Sequence, residues 1–517
     1  MTQEAPPARV IVGLDAGTTG VKVVAFGIGS PWQRAAVREY PLLEPDATEH
    51  VQDPDAIVSA ASSALAECVA AVEGTEVVGI SVGTGMHGLM ALDADRCPLT
   101  PLITWADGRA LDEARSLHRS GEAAGLHRTT GVPAHPMTPL TKLMWFARHD
   151  PGTWAEARWW VGLKEYVLLW LTGTLATEVS SASGTGMLDM STGTWSERAL
   201  DLCGVDPDRL PEILPTTATL ALAPATARDA GLPAGTPVVV GAADGPLGNL
   251  GTGATGPGVA GLSLGTSGAV RMCVGEPRVD AGGALFCYAL TGSHWVVGGA
   301  TSNGAGVVRW VAASLVPDRV AASEPGGADE AVLDLAANAP PGSEGLVMLP
   351  YLLPERAPLW EPELPGAYVG LRRHHTRAHL ARAAIEGVCL QMRLILDVLD
   401  GLEPVTSVRA TGGAFRSPLW REVMAAMLGR PMAVAEGAEG TALGAAALGL
   451  VALGLAPTLT DAAASLAVAG SGAEPPRTVS VDPQLVATYD LSRASLPGMI
   501  NQLDRVAAAF ARSEGEL

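Results

Sequence analysis

The chain has 517 residues, 48% of them hydrophobic, and a formal net charge of −20. That length exceeds one ordinary core and suits two α/β domains, while the acidic balance, with no basic stripe, argues against nucleic acid or an anionic membrane as partner. Cys68, Cys97, Cys203, Cys273, Cys287 and Cys389 form no Cys-x-x-Cys pair, so neither a zinc cage nor a disulfide framework is expected and a reducing cytoplasm fits best.

The opening MTQEAPPAR is a polar lead, and Asp15 interrupts the apolar VIVGLDAG behind it, so no signal peptide is expected. No run approaches the roughly 20 apolar residues of a membrane span. Val10 to Leu14 reads as a strand ending in Asp-Ala-Gly-Thr-Thr-Gly, and Val21 to Phe26 as the strand that follows the turn. Asp53 caps a helix with Pro54 at its first position and an apolar face at Ile57, Ala61, Leu65 and Val69, after which Val77 to Val82 reads as a strand.

Gly83-Thr84-Gly85-Met86-His87-Gly88 fits Gly-x-Gly-x-x-Gly after a strand, but Leu89 to Asp95 reads as strand and turn rather than the helix a dinucleotide fingerprint opens. His87 becomes a candidate substrate contact, with a buried structural histidine as the alternative. Trp105, Asp107 and Arg109 supply an indole, a carboxylate and a guanidinium suited to a polyol, unless they are surface salt-bridge partners. The strand Pro237 to Val240 leads to Asp244, which can take the proton of an attacking hydroxyl as kinase bases do; a helix-capping Asp is the alternative.

Near mid-chain the first signature returns. Leu262-Ser263-Leu264-Gly265-Thr266-Ser267-Gly268 aligns without a gap on Leu14-Asp15-Ala16-Gly17-Thr18-Thr19-Gly20, which suggests a duplicated fold. Two glycine turns with Thr and Ser donors can cradle phosphate oxygens, and Asp15 beside them can serve Mg²⁺ or its waters. Thr376 opens a helix with a stripe at Leu380, Ala384, Val388, Met392 and Leu396. A strand around Val405 to Ala410, a Gly412-Gly413 turn, a helix from about Pro418, a strand at Met432 to Ala435 and an Ala-rich helix from about Thr441 follow. His375 and His379 have helical i, i+4 spacing, yet no Glu follows the first and Arg372 to Arg382 is basic, which favours a solvated face over a metal site. Only three lysines occur, Lys22, Lys142 and Lys164, each in or beside these motifs.

Leu14 to Gly20, Met86-His87-Gly88, Trp105 to Arg109, Lys164-Glu165-Tyr166, Asp244, Gly265 to Gly268 and Gly412-Gly413 together resemble the FGGY carbohydrate kinases, in the right order over nearly the whole chain. The resemblance implies an α/β fold of two ribonuclease-H-like, actin-like ATPase domains with ATP in an interdomain cleft. Its expected division is residues 1–250 for the sugar and first phosphate turn, 251–456 for the nucleotide, and a helical tail over 457–517. It implies Asp244 as catalytic base and Asp15 at Mg²⁺, with Met86, His87, Trp105, Asp107, Arg109 and Lys164 at the sugar. For the nucleotide it implies Gly17, Thr18, Thr19, Lys22, Gly265, Thr266, Ser267, Asn303, Gly412, Gly413 and Ser417, with Ala442 to Ala446 by the adenine.

Within that family His135 to Leu140, Phe286-Cys287-Tyr288 and Leu349 to Leu353 look more like gluconokinases than xylulokinases. Gly85 stands where xylulokinases carry a Gln before Met-His. Pro354, Ser302 and Gly88 depart from the gluconokinase pattern. The expected substrates are ATP and a sugar acid, D-gluconate, whose carboxylate would meet Lys164 or Arg109. A xylulokinase is the alternative within the family, and a nonenzymatic actin-like nucleotide-binding protein the alternative outside it. A homodimer is one option for its assembly.

Overall fold

The computed structural model describes residues 7–321, 327–435, 440–469 and 477–514. In chain order its functional framework begins with β1 (Arg9–Ala16), β2 (Gly20–Gly27), β3 (Gln33–Glu39), α1 (Pro54–Ala70), β4 (Glu76–Thr84), α2 (Pro139–His149) and α3 (Leu163–Thr172). Next come β5 (Thr219–Ala221), β6 (Pro237–Ala243), α4 (Asp244–Gly251), β7 (Val259–Leu264), β8 (Gly268–Val274) and α5 (Gly306–Leu315). The last are α6 (Arg377–Leu402), β9 (Ser407–Thr411), α7 (Pro418–Leu428), β10 (Met432–Val434), α8 (Gly440–Ala452), β11 (Arg477–Val479) and α9 (Pro483–Glu514).

Packing divides the chain into two units. One comprises Met1–Pro257, Cys273–Val297 and Gly437–Ala473, the other Gly258–Met272, Gly298–Glu436 and Glu474–Leu517. The first unit is built on a six-stranded sheet in the order β5-β6-β4-β1-β2-β3. Strands β1, β4 and β6 are parallel, and β1, β2 and β3 form an antiparallel meander.

Alternation along β1 explains both faces of that sheet. Val10, Val12 and Leu14 share a core with Ile57, Ala61 and Leu65 of α1, whereas Ile11 joins Ala442, Ala445 and Ala446 of α8 on the other face. Helix α1 starts as the sequence predicts, with the Asp53 carboxylate accepting from the Asp55 N–H and Pro54 inside the first turn. Helix α8 is rich in Gly and Ala because its neighbours come very close. A Cβ on Gly13 would stand 2.2 Å from the Ala442 carbonyl oxygen, and one on Gly444 would stand 2.0 Å from that of Leu247. Among the strands, Gly241 has φ +73° and lies where the β6–β4 register shifts; a Cβ there would stand 1.9 Å from the Val82 oxygen. Only glycine meets both demands.

In the second unit β8, β7, β9, β10 and β11 are neighbours in that order. Strand β7 is antiparallel to β8 and parallel to β9, as β1 is to β2 and β4. The repeat expected from the two glycine turns is therefore a repeat of topology. Helix α6 starts after Thr376 and buries Ala384, Val388, Met392 and Leu396, the stripe expected of it.

Cuts at residues 250 and 456 are linear, whereas the packing is discontinuous. Segment 437–473 belongs with the first unit because the small side chains of α8 seat it against β1 and α4. The expected tail is likewise divided, with α9 packed on α7 in the second unit. No helix among the described residues is long and apolar enough to cross a membrane.

Candidate active site

In the first unit, three parallel strands bring three groups to the carboxyl edge of the sheet, where open α/β sheets hold ligands. Strand β1 carries Asp15 one residue before its end at Ala16, β4 runs into Gly85-Met86-His87, and β6 runs into Asp244. The Gly85 N–H donates to the Ala16 carbonyl at 2.8 Å, and a Cβ on Gly85 would lie 4.0 Å from Asp244 Oδ2. Asp244 is the first residue of α4; Ala243 holds the N-cap position and there is no side-chain cap bond. Helix capping therefore does not account for a carboxylate at this position.

Asp15 pairs across the ladder with Lys22. Its Oδ1 is sealed from solvent and has no hydrogen-bond partner among the described residues. Burial, then the Asp244 carboxylate, pushes the Asp15 pKa up to about 7, against the opposing pull of Lys22, Thr441 and Lys164. A sealed carboxylate oxygen beside a second carboxylate suits a hard divalent cation or one of its waters. Mg²⁺ thus fits the residues present.

The first glycine turn is braced from several sides. The Gly17 N–H donates to the Gly20 oxygen at 3.0 Å, Tyr40 donates its hydroxyl proton to the Gly17 oxygen, and the Gln52 amide donates to the Thr18 oxygen. The Trp105 indole N–H donates to Thr18 Oγ1 at 2.9 Å, so that hydroxyl keeps its own proton to donate. Thr19 is exposed. Gly17, Thr18, Gln52, Gly85, Met86 and Trp105 line a pocket that spans, with its mouth, about 250 Å³.

His87 has φ 65°, an uncommon conformation for a residue with a Cβ and one that clusters at functional sites. Its Nδ1–H donates to the Gly184 oxygen at 2.8 Å, which turns Nε2 toward the Tyr288 hydroxyl at 3.3 Å. Lys142 holds this bend from below, donating to the His87 oxygen at 2.6 Å and the Thr104 oxygen at 2.7 Å. Burial drives the Lys142 pKa down to about 7.

Three residues expected at the sugar, Lys164, Asp107 and Arg109, are engaged by the protein itself. Lys164, 1% exposed, donates to the carbonyls of Val82 (2.6 Å), Val240 (2.8 Å) and Ala242 (3.1 Å), with Glu178 at 3.8 Å. All three ammonium protons are occupied by β4 and β6, so Lys164 is not placed to receive a substrate carboxylate. Burial lowers its pKa to about 8. The Asp107 side chain is fully buried and accepts from the His50 N–H and from Arg109, whose Nε and Nη2 stand 2.8 and 2.9 Å away. Arg109 also faces Glu49 at 3.5 Å and lies over the Trp145 ring. Asp107 therefore positions Arg109, and neither is open to a ligand on that side.

In the second unit the turn Gly265–Ser267 is exposed at the end of β7. Gly412, at φ +120°, lies against it, since a Cβ there would stand 2.2 Å from the Leu264 oxygen, while Gly413 has open space where a side chain would be. The Thr266 oxygen accepts from the N–H groups of Gly304 and Gly306, which joins the turn to the start of α5. Ser417 is the N-cap residue of α7 but makes no side-chain cap bond. Asn303 departs from expectation. Its amide donates to the Leu353 oxygen and Glu355 Oε2 and accepts from the Leu352 and Leu353 N–H groups, so all four of its positions are taken. It fixes the loop instead of reaching a nucleotide.

Lys142, Tyr288 and Gln52 were not among the expected site residues. The scarcity of lysine was a signal for the first. Tyr288 lay in the Phe286-Cys287-Tyr288 stretch without being given a role, nothing local marks Gln52, and both reach the site from distant segments.

Residues 10–251 match the N-terminal domain, and residues 260–453 the C-terminal domain, of the FGGY family of carbohydrate kinases. The chain is 37% identical over 452 residues to a gluconokinase of Bacillus licheniformis, covering 86% of this chain and 88% of that one. It is 32% identical over 452 residues to the xylulose kinase of Escherichia coli strain K12, covering 85% and 90%. A crystal structure of gluconate kinase from Lactobacillus acidophilus superposes with a TM-score of 0.87 at 30% identity, covering 98% of this chain and 99% of that one.

Two measurements check these assignments. Lys164→Met strands three carbonyls and the Glu178 carboxylate, so urea unfolding is expected to show a loss of about 3–5 kcal/mol; a loss near the roughly 1 kcal/mol of a surface pair would restore Lys164 as a candidate ligand. Because the folded pKa of Asp15 is raised from 3.8 to about 7, its ionisation costs the folded state increasingly as pH rises from about 4 to above 7. With chelator present and no nucleotide, Asp15→Asn is expected to be more stable than the parent at pH 8, by on the order of 2–4 kcal/mol, with the gap closing toward pH 4. A gap independent of pH would contradict the raised pKa.

Proposed function

Since this chain belongs to the FGGY family of carbohydrate kinases, ATP-using phosphotransferases with a hydroxyl acceptor, we propose that its acceptor is the terminal hydroxyl of D-gluconate and its product 6-phospho-D-gluconate. The observation that carries this reading is the higher identity to gluconokinases, 36–37%, than to the E. coli xylulose kinase, 32%. Space at Gly85 supports it. With no side chain there, room remains beside Asp244 Oδ2 and the Ala16 oxygen for a longer acid.

In the proposed reaction Asp244 takes the proton of the acceptor hydroxyl as its oxygen bonds to the terminal phosphorus of ATP. The bond from that phosphorus to the bridging oxygen breaks, and ADP leaves with the bond's electrons. Asp15 is the group proposed to hold Mg²⁺ or its waters, and Mg²⁺ when bound supplies neutralisation of phosphate charge. In the first unit the half-buried Thr18 and exposed Thr19, and in the second the exposed Thr266–Ser267 turn with Gly413, each offer N–H and hydroxyl donors of the kind that phosphate oxygens accept, and we assign them to the nucleotide. For the sugar, Met86 and Trp105 supply wall and the bent segment at His87 supplies polar contact. With Lys164 and Arg109 occupied, we assign the carboxylate to His87 as its imidazolium, which donates from Nδ1 to the Gly184 oxygen and has the Nε2–H, 3.3 Å from the Tyr288 hydroxyl, for the acid.

An ADP-release assay with gluconate, xylulose, ribulose and glycerol tests the substrate. Gluconate is expected to give the highest kcat/KM by at least about tenfold, one charge-assisted hydrogen bond's worth. Faster turnover of xylulose would overturn gluconate and leave the base assignment standing. Separately, Asp244→Asn is expected to bind ATP normally while turnover falls by about 10²–10⁴; turnover within a few-fold of the parent would remove Asp244 from its role.

A further inference from the structure

We propose a second cation site in this protein, outside the reaction centre and selective for an imidazole-preferring transition ion of the Zn²⁺ class, formed by Glu344, His374 and His375 with His379 beside the same carboxylate. All four belong to the second unit. Two histidine nitrogens converge on one carboxylate oxygen: His374 Nε2 lies 3.1 Å and His379 Nε2 3.5 Å from Glu344 Oε2. Two ligand atoms each about 2.0–2.1 Å from a tetrahedral zinc are themselves about 3.3 Å apart, so these spacings are those of a loaded site. Ligand atoms of Glu344, His374 and His375 all lie within 4.8 Å of one another. The His374 and His375 rings are 4.2 Å apart edge to face, and Nε2 of His375 is sealed from solvent with no hydrogen-bond partner among the described residues.

The scaffold is rigid where it must be. Glu344 sits at φ 51° and Ser343 at φ 46°, left-handed conformations that residues with a Cβ seldom adopt. A buried carboxylate holds them there, because Glu386 accepts from the Gly342 N–H at 2.9 Å and the Ser343 hydroxyl at 3.0 Å. Glu386 is fixed in turn by Arg382 at 2.8 Å and the Tyr489 hydroxyl at 3.0 Å. On the other side, His379 is in the first turn of α6, and its Nδ1 lies 3.0 Å from the Thr376 hydroxyl. That oxygen can accept an N–H from Nδ1, leaving the Nε2 lone pair for a cation; loading through Nε2 gives up the bond that the Thr376 N–H donates to Nδ1 at 3.2 Å and keeps the one from Nδ1–H to the hydroxyl.

Of the neighbouring arginines, Arg377 is paired with Asp318 and Arg382 with Glu386, while Arg372 and Arg373 are exposed, where solvent and salt screen them. Three imidazoles and one carboxylate select Zn²⁺, Co²⁺, Ni²⁺ or Cu²⁺ over Mg²⁺, which takes oxygen ligands. The bound ion would staple the loop at Glu344 to the start of α6.

The test uses untagged, metal-stripped, full-length protein. One equivalent of Co²⁺ is expected to bind at micromolar concentration with the visible bands of tetrahedral coordination, to be displaced by Zn²⁺, and to resist a large excess of Mg²⁺. Glu344→Gln, which keeps the side-chain shape, and His374→Ala are each expected to weaken Zn²⁺ binding by more than the roughly 10–100-fold cost of losing an outer-shell partner, with unchanged circular dichroism. The proposal is overturned if the parent retains no Co²⁺ or Zn²⁺ at micromolar concentration. It is equally overturned if a His374→Ala/His379→Ala double variant binds as tightly as the parent, which would assign the ion to another site such as the exposed Cys97.

Discussion

Two carboxylates at the ends of parallel strands in one sheet set the terms for the whole first unit. Asp15 lies near the end of β1 and Asp244 follows β6, and burial plus their mutual repulsion push the Asp15 pKa to about 7. Such a pair is tolerable only where positive charge is near. Lys22 opposite Asp15 and Lys164 beneath the sheet edge provide part of it, and the sealed Asp15 Oδ1 leaves a position for more. The Mg²⁺ of a nucleotide substrate supplies the remainder in the proposed reaction. The repulsion between the two carboxylates is the kind that a bound divalent cation would relieve.

Holding those strand ends together requires a backbone without side chains in the way. Gly241 lets β6 shift register against the Val82 carbonyl, Gly13 lets α8 lie on β1, and Gly444 lets α8 lie on α4. Lys164 then bridges the gap that the irregular strand end opens, its ammonium reaching carbonyls of both β4 and β6. The glycines and the lysine are two halves of one solution. Close approach leaves carbonyls without ladder partners, and a buried cation satisfies them.

What could be read from the residues was local. The two glycine turns, Asp244 at a strand-to-helix junction and the cap at Asp53 are spelled out within a dozen consecutive residues each, and the stripe of α6 along a single helix; these local features folded as read. What could not be read depends on segments far apart in the chain. Asn303 has the chemistry of a nucleotide ligand but is saturated by residues 352–355, and Asp107 has that of a sugar ligand but is closed by Arg109 and His50. His375 and His379 read as a solvated basic face because Glu344 is some thirty residues upstream and the arginines' partners lie elsewhere. The return of 437–473 to the first unit was hidden for the same reason, since it rests on backbone approach at single glycines.

The lysine count now has a physical account. In a chain whose cations are otherwise arginine, Lys142 and Lys164 are both 1% exposed and both donate to backbone carbonyls rather than pairing on the surface. An ammonium is compact and points its protons in three directions, so it can gather carbonyls that converge from different strands. A guanidinium is planar and meets a carboxylate edge to edge through two parallel N–H groups, which is how Arg109 meets Asp107. Burial lowers the pKa of Lys142 to about 7 and of Lys164 to about 8, a cost that arginine escapes. At these two positions the carbonyls, one set behind His87 and one beneath Asp244, are gathered from several directions at a single nitrogen, a geometry that a planar guanidinium does not match.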